Sequence, residues 1–299
     1  MRARSDPDRD SSRLDRHSCL CAARCDILPP TYKAMNSFNE ANVLRDRIGR
    51  FANKPGAAIA PEANAFTDES QISFDPASGT LTCGPGVIND LLWHRDLMRD
   101  HIKKIVIEPG AKLGDGGYEA ENCFEGMRNL EEVELPRDFL AGQHSTYRMF
   151  AGCKNLRKLN TADLDMSQVN NADEMFYDCG KLKTIDTSDW DVGQLISARR
   201  MFSYSGIEEF NAPNWNTGGL QNTFRMFEFC TNLESADVSG WDTTSLEEAS
   251  WMFHGCHNLK SIDTDGWELN NPRTVQGMFK QCQSLPNLES SPRLKAGDS

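Results

Sequence analysis

The chain lacks the features that mark a membrane-spanning protein or a common enzyme. No stretch approaches the ~18 consecutive apolar residues that a membrane-spanning helix requires, so no membrane insertion is expected. There is no Gly-x-Ser-x-Gly elbow, no Gly-x-x-x-x-Gly-Lys-(Ser/Thr) loop and no His-Glu-x-x-His pair. Gly114 to Gly117 is glycine-rich but reads as a turn, because no strand-to-helix switch with a lysine follows it. His17, Cys19, Cys21 and Cys25 offer four potential ligands, yet their spacing matches no zinc pattern. No catalytic residue, metal site or cofactor is therefore expected. Basic residues are also in deficit, with 32 Lys and Arg against 44 Asp and Glu. The resulting net charge of −12 argues against nucleic acid and anionic membrane as partners. Arg and Asp alternate through Met1 to Arg16 with no apolar segment after them, so no signal peptide is expected and Met35 is a candidate initiator.

What the chain does have is one phrase repeated down its length: Met-Phe, a small residue three places later, then Leu, then often Trp. The phenylalanines fall at Phe124, Phe150, Phe176, Phe202, Phe227, Phe253 and Phe279, in steps of 26 residues with a single step of 25. The short step lies between Phe202 and Ile207. A fixed period in this range marks a solenoid, in which each repeat stacks on the last and buries its apolar face against its neighbours. Phe150, Phe176, Phe202, Phe227, Phe253 and Phe279, with Cys153, Cys179, Cys230, Cys256 and Cys282, are the expected repeat core. The cysteines read as buried free thiols acting as small hydrophobes. The alternative is disulfides between rungs, since the ~4.8 Å between strands does not exclude them.

After each cysteine position comes a Leu-x-x-Leu run with apolar or small residues in alternation, as at Leu182, Ile185 and Thr187. This reads as a half-buried strand, and one strand per repeat in one direction gives a parallel ladder. Trp190, Trp215, Trp241 and Trp267 close most strands and read as a structural corner, with a ligand shelf as the alternative. A helix is then expected to end in Met-Phe. Ser245 and Glu248 have capping-box spacing, Asn271-Pro272 gives a second start signal, and Leu246, Ala249 and Phe253 share a helical face.

Phrases such as Met252-Phe253-His254-Gly255-Cys256 and Trp241-Asp242-Thr243-Thr244-Ser245-Leu246 resemble the 26-residue repeat of the BspA-like leucine-rich-repeat surface proteins, which is also abundant in mycoplasma lipoproteins. The expected fold is thus an α/β solenoid, a leucine-rich-repeat-like stack of about seven strand-turn-helix repeats with one parallel sheet and an N-terminal cap. Residues 1–66 show no period and read as disordered. Residues 67–118 would form a capping hairpin, a helix over Val87 to Ile102 and a first strand near Ile105. Residues 119–290 form the solenoid and 291–299 a polar tail.

The outward position of each strand carries Glu134, Asn160, Asp186, Asn211, Asp237, Asp263 and Glu289. This column reads either as a solvated face or as a contact surface for a partner protein. His254 and His257 read as solvent-facing turn residues. The resemblance implies a non-enzymatic protein for adhesion or host contact, often at the cell surface. The functional expectation is a protein-interaction or adhesion module, with a bacterial cell-surface adhesin and an intracellular scaffold as the alternatives.

Overall fold

A computed structural model describes residues 43–45, 51–53, 72–88, 99–161, 164–264, 266–269 and 275–286. The chain divides into two units, Met1–Ile59 and Ala60–Ser299. In the first, β1 (Val43–Arg45) and β2 (Phe51–Asn53) pair antiparallel.

In the second unit, β3 (Ile72–Asp75) and β4 (Thr80–Cys83) form an antiparallel hairpin. Asp75 shapes its turn by accepting from the Ala77 amide at 3.0 Å and the Ser78 hydroxyl at 2.7 Å. From there the pairing becomes parallel. β4 pairs with β6 (Lys104–Ile107), β6 with β8 (Glu132–Glu134), and β8 with β9 (Lys158–Leu159). A second parallel ladder joins β10 (Glu209–Asn211), β11 (Ser235–Asp237) and β12 (Ser261–Asp263). β5 (Gly86–Ile88) and β7 (Ala111–Leu113) pair parallel on a further edge. The result is a β-solenoid of about seven turns.

Two features of the expected fold need correction. The first is the single sheet. The Phe176 turn makes no strand, and residues 182–187 separate the two ladders. Side-chain hydroxyls bridge this gap: Thr161 donates to the Asp186 carbonyl at 2.6 Å and Thr187 to the Asn211 carbonyl at 3.4 Å. The gap adjoins the short repeat, where Gly206 donates to the Cys179 carbonyl at 3.1 Å. A Cβ at Gly206 would lie 2.3 Å from the Gly180 carbonyl oxygen, so only glycine lets the shortened turn approach this closely.

The second is the helix. Among the described residues of the repeats no α-helix forms. The segment around each Phe is instead a run of tight turns, because the residues two before and two after it are left-handed. Asn122 and Gly126 flank Phe124, Arg148 and Gly152 flank Phe150, and Arg225 and Phe229 flank Phe227; the pattern holds through Gly277 and Gln281. An α-helix cannot hold such residues, since each turns its peptide out of the i→i−4 ladder. Their amides point along the stack instead. Arg148, Phe150 and Gly152 donate to Asp173, Met175 and Tyr177 of the next turn at 3.0, 2.9 and 2.7 Å. Each left-handed non-glycine residue costs about 1–2 kcal/mol. The ladder bond that each one gains, and the burial of the Phe between them, offset that cost. The Ser245–Glu248 capping box is likewise absent. Ser245 donates to the Gly218 carbonyl at 2.6 Å, and Glu248 accepts from the Ser250 amide at 2.8 Å. Asn271-Pro272 and most of the expected capping helix, residues 89–98, lie outside the described residues.

The core is a set of columns running along the stack. Successive Phe rings from Phe124 to Phe279 stack with centroids 4.9 to 5.5 Å apart. Trp190, Trp215, Trp241 and Trp267 form a second column at 5.7 to 6.4 Å.

Candidate functional site

The strands position the first candidate surface. Glu134, Asn160, Asp186, Asn211, Asp237 and Asp263 are all exposed in one column, while Glu289 lies outside the described residues. The carboxylates here have local partners. Asp186 accepts from the Ser188 amide and hydroxyl at 3.1 and 2.7 Å, and Asp237 does the same with Ser239 at 3.2 and 2.8 Å. The hydrogen bonds from Ser188 hold the Asp186 carboxyl below the usual carboxylate range. Beside the column, Lys104 reaches Glu132 and Glu134 at 2.9 and 2.5 Å. Lys183 pairs with Glu208, and Lys260 with Glu234, each at 2.7 Å. The face is acidic but partly self-neutralised.

The thiol column has a different chemistry. Each repeat cysteine donates its S–H to the Phe carbonyl of the preceding turn: Cys153 to Phe124, Cys179 to Phe150, Cys230 to Phe202, Cys256 to Phe227 and Cys282 to Phe253. All five are free thiols. Burial pushes Cys153 and Cys230 up to about 12, so neither is a nucleophile near neutral pH. In the folded state these thiols hold their protons to higher pH than in the unfolded chain, so their stabilisation is complete below pH 9 and is lost as pH rises toward 12. Each adds about 1.4 kcal/mol per pH unit to the loss. Native protein at pH 8 is expected to resist alkylation at Cys153 and Cys230 and to react at both after denaturation, read by mass spectrometry. Rapid native labelling would contradict the buried column.

The Trp column is also internally satisfied. The indole N–H groups of Trp190, Trp215, Trp241 and Trp267 donate to the carbonyls of Thr161, Thr187, Ala212 and Val238 at 2.7, 3.1, 3.0 and 3.3 Å.

The second surface, formed by the turns around the Phe column, went unnoticed in the sequence because its residues differ from turn to turn. Arg148 reaches back to Glu125 at 2.6 Å and forward to Glu174, which also lies 3.8 Å from Arg200. Further along, Arg225 lies 3.3 Å from Glu228, and its guanidinium sits 4.9 Å from the Phe224 ring centre. Tyr177, Tyr204, Phe229, His254 and Trp251 then follow ring to ring at 5.8, 5.1, 4.8 and 5.0 Å. His254 is not the solvent-facing residue expected. Its side chain is 13% exposed between Phe229 and Trp251, 3.5 Å from Glu228. His257 has its ring Nδ1 2.9 Å from the Gln281 carbonyl. An alignment of the seven repeats on their Phe residues would have revealed these columns.

The repeat carries a family signature. A family model described as "Mycoplasma protein of unknown function, DUF285" matches residues 143–235 and 186–290. This stretch is similar to the DUF285 repeat over residues 143–290. The resemblance to the BspA-like repeat falls on the same residues. No curated protein matches the chain. Among solved structures, the chain is similar to a leucine-rich-repeat protein of T. pallidum. That match has 20% identity and a TM-score of 0.46, covering 77% of this chain and 94% of the other. A leucine-rich-repeat protein of Eubacterium ventriosum matches at 16% identity and TM-score 0.24, with coverages of 73% and 88%. A leucine-rich cell surface protein of Faecalibacterium prausnitzii matches at 13% and 0.27, with coverages of 78% and 98%.

Proposed function

We propose that the chain is a non-enzymatic protein-interaction module, used for adhesion, whose strand face contacts a partner protein. The observation that carries this reading is the repetition of one exposed polar column, Glu134, Asn160, Asp186, Asn211, Asp237 and Asp263, on successive turns. Such a column is an extended surface with near-equivalent positions, which suits a partner's length and not a single reacting atom. The repeat thiols, which could act as nucleophiles in five of the seven turns, serve as hydrogen-bond donors inside the stack.

The test places a photo-crosslinking residue at Asp186 or Asp237 in the full chain within source cells, with Lys112 as the control position. Protein adducts at the two aspartate positions and not at Lys112 are the expected result. No adduct at either would overturn the reading. Protease shaving of intact cells adds the location. Release of peptides from residues 119–290 supports adhesion, and their appearance only after lysis leaves an internal scaffold.

A further inference from the structure

The turn face changes character halfway along the stack. Over the first three turns its charges alternate and pair, as in Glu125, Arg148 and Glu174. Over residues 199–204, 224–229, 250–255 and 276–281 they no longer alternate, and cations outnumber carboxylates. These segments hold four cations, Arg199, Arg200, Arg225 and Lys280, against one carboxylate, Glu228. The Glu228 side chain is only 5% exposed. Arg199 makes no ion pair among the described residues, and the nearest carboxylate to Arg200 is 3.8 Å away. In a chain of net charge −12, this is a local reversal of sign.

The same segments hold the aromatic run. Tyr204 is 43% exposed, and Phe224, Phe229 and Trp251 are half-buried. Three of these rings sit at left-handed positions: Tyr204 at φ 61°, Phe229 at φ 55° and Trp251 at φ 62°. Glycine occupies the corresponding places in other turns, at Gly126, Gly152 and Gly277, where it adopts that backbone without steric cost. Aromatic residues are among the least suited to it. Neither ring column of the core depends on them. Bulky side chains held on left-handed backbone cluster at functional sites.

The rings are also seated. A Cβ at Gly255 would lie 2.5 Å from the Phe229 ring, and one at Gly277 would lie 2.7 Å from the Trp251 ring. Each ring therefore lies directly on the glycine backbone of the next turn and is held there. Lys280 lies 5.3 Å from the centre of the Trp251 ring, and Arg225 covers Phe224. A fixed row of rings flanked by cations in excess of carboxylates pays little ordering entropy on binding. Aromatic and arginine side chains are the usual anchors of protein interfaces.

We infer that this half of the turn face docks an acidic segment of a partner protein, with apolar or aromatic side chains between its carboxylates. The carboxylates would meet Arg199, Arg200 and Lys280, and the apolar side chains would lie on Tyr204, Phe229 and Trp251. Charge complementarity favours this occupant. A polyanion as dense as nucleic acid or an anionic bilayer would also face the surrounding negative field, which a short acidic segment avoids by lying within the patch. The inference rests on the interaction reading and adds a second surface to it, together with the chemistry of what binds there.

The test uses the full chain and a short fluorescein-labelled peptide alternating glutamate with tyrosine and leucine, followed by fluorescence anisotropy. The comparison peptide carries lysine for every glutamate. The acidic peptide is expected to bind about tenfold tighter or more, a difference of about 1.4 kcal/mol, and to weaken as ionic strength rises. Two independent variants probe the patch. Arg199→Glu with Tyr204→Asn removes a cation and a ring, and asparagine tolerates the left-handed backbone at that place. Lys280→Glu acts one end away. Each is expected to cost about tenfold with the melting curve retained, whereas Lys112→Glu, on β7, leaves binding unchanged. Equal affinity for the two peptides, no saturable binding, or equal loss in the Lys112 variant would overturn the inference. So would patch-dependent binding to phosphatidylserine vesicles without binding of the acidic peptide. A photo-crosslinking residue at Tyr204 separates the two proposals. Adducts at Asp186 with none at Tyr204 leave the interaction reading standing and remove this surface, while adducts at neither position remove both.

Discussion

Phe227→Ala is expected to destabilise the folded chain by about 3–5 kcal/mol, the range for removing a fully buried ring. Phe227 is 0% exposed. Its ring stacks between Phe202 at 5.4 Å and Phe253 at 5.0 Å and meets Phe210 edge-on at 4.8 Å. The Arg225, Phe227 and Phe229 amides bond to the next turn at 3.1, 2.8 and 2.7 Å and tie down the backbone around the ring, which limits collapse of the cavity. Urea unfolding gives the total loss. Turn-resolved hydrogen exchange gives its distribution, because in a stack each turn is stabilised by its nearest neighbours. Amides of the Phe202 and Phe253 turns should lose protection first. An unchanged urea midpoint would show that the ring is not part of a stacked core.

Trp215→Ala is expected to cost a similar amount, about 3–5 kcal/mol. Trp215 is 2% exposed, stacked on Trp190 at 6.0 Å and Trp241 at 5.7 Å, and edge-on to Phe210 at 5.4 Å. Trp215→Phe separates packing from hydrogen bonding. It keeps most of the ring contact but removes the N–H that reaches the Thr187 carbonyl at 3.1 Å, leaving that oxygen without its indole partner. A loss of about 1–3 kcal/mol is expected for that change alone. If both variants lost the same amount in urea unfolding, the hydrogen bond and not the stacking would be what the corner contributes. If neither lost any, the column would be a surface feature.

The parts of this fold legible in the sequence were those that burial repeats. A Phe must lie on a Phe, and a Leu on a Leu, so the columns recur at a constant interval and declare a stack. The helix was misread for a physical reason. Leu246, Ala249 and Phe253 do fall at helical spacing, and all three are buried. What forbids the helix is the backbone sign at the two residues flanking each Phe. Ten of those fourteen positions are not glycine, so the usual sequence marker of a left-handed residue is missing. The stack itself supplies the stabilisation, by accepting each turned amide on the next turn. The gap at residues 182–187 adjoins the short repeat, where Gly206 lies against the Gly180 backbone, but a missing residue does not by itself say which turn lacks its strand. The turn surface stayed hidden because function, unlike packing, does not ask for the same residue in every turn. Arg148, Glu174, Arg200, Arg225 and Trp251 occupy one column and share no chemistry that a period would reveal.

The Phe176 turn, which has no strand of its own, also sets how the molecule bears load. The turn-to-turn bonds run along the stack, so tension applied between its ends pulls on one interface after another, each in series with the next. Where β10, β11 and β12 continue the ladder, the strand and the tight turns share that tension. Around Phe176 the strand pairing is gone, and the tight turns carry it with two threonine hydroxyls, two indole N–H groups and the bond from the Glu208 amide to the Lys183 carbonyl. A protein that tethers one body to another would part first there. The hairpin and early turns on one side and β10–β12 on the other would each keep their own ladder.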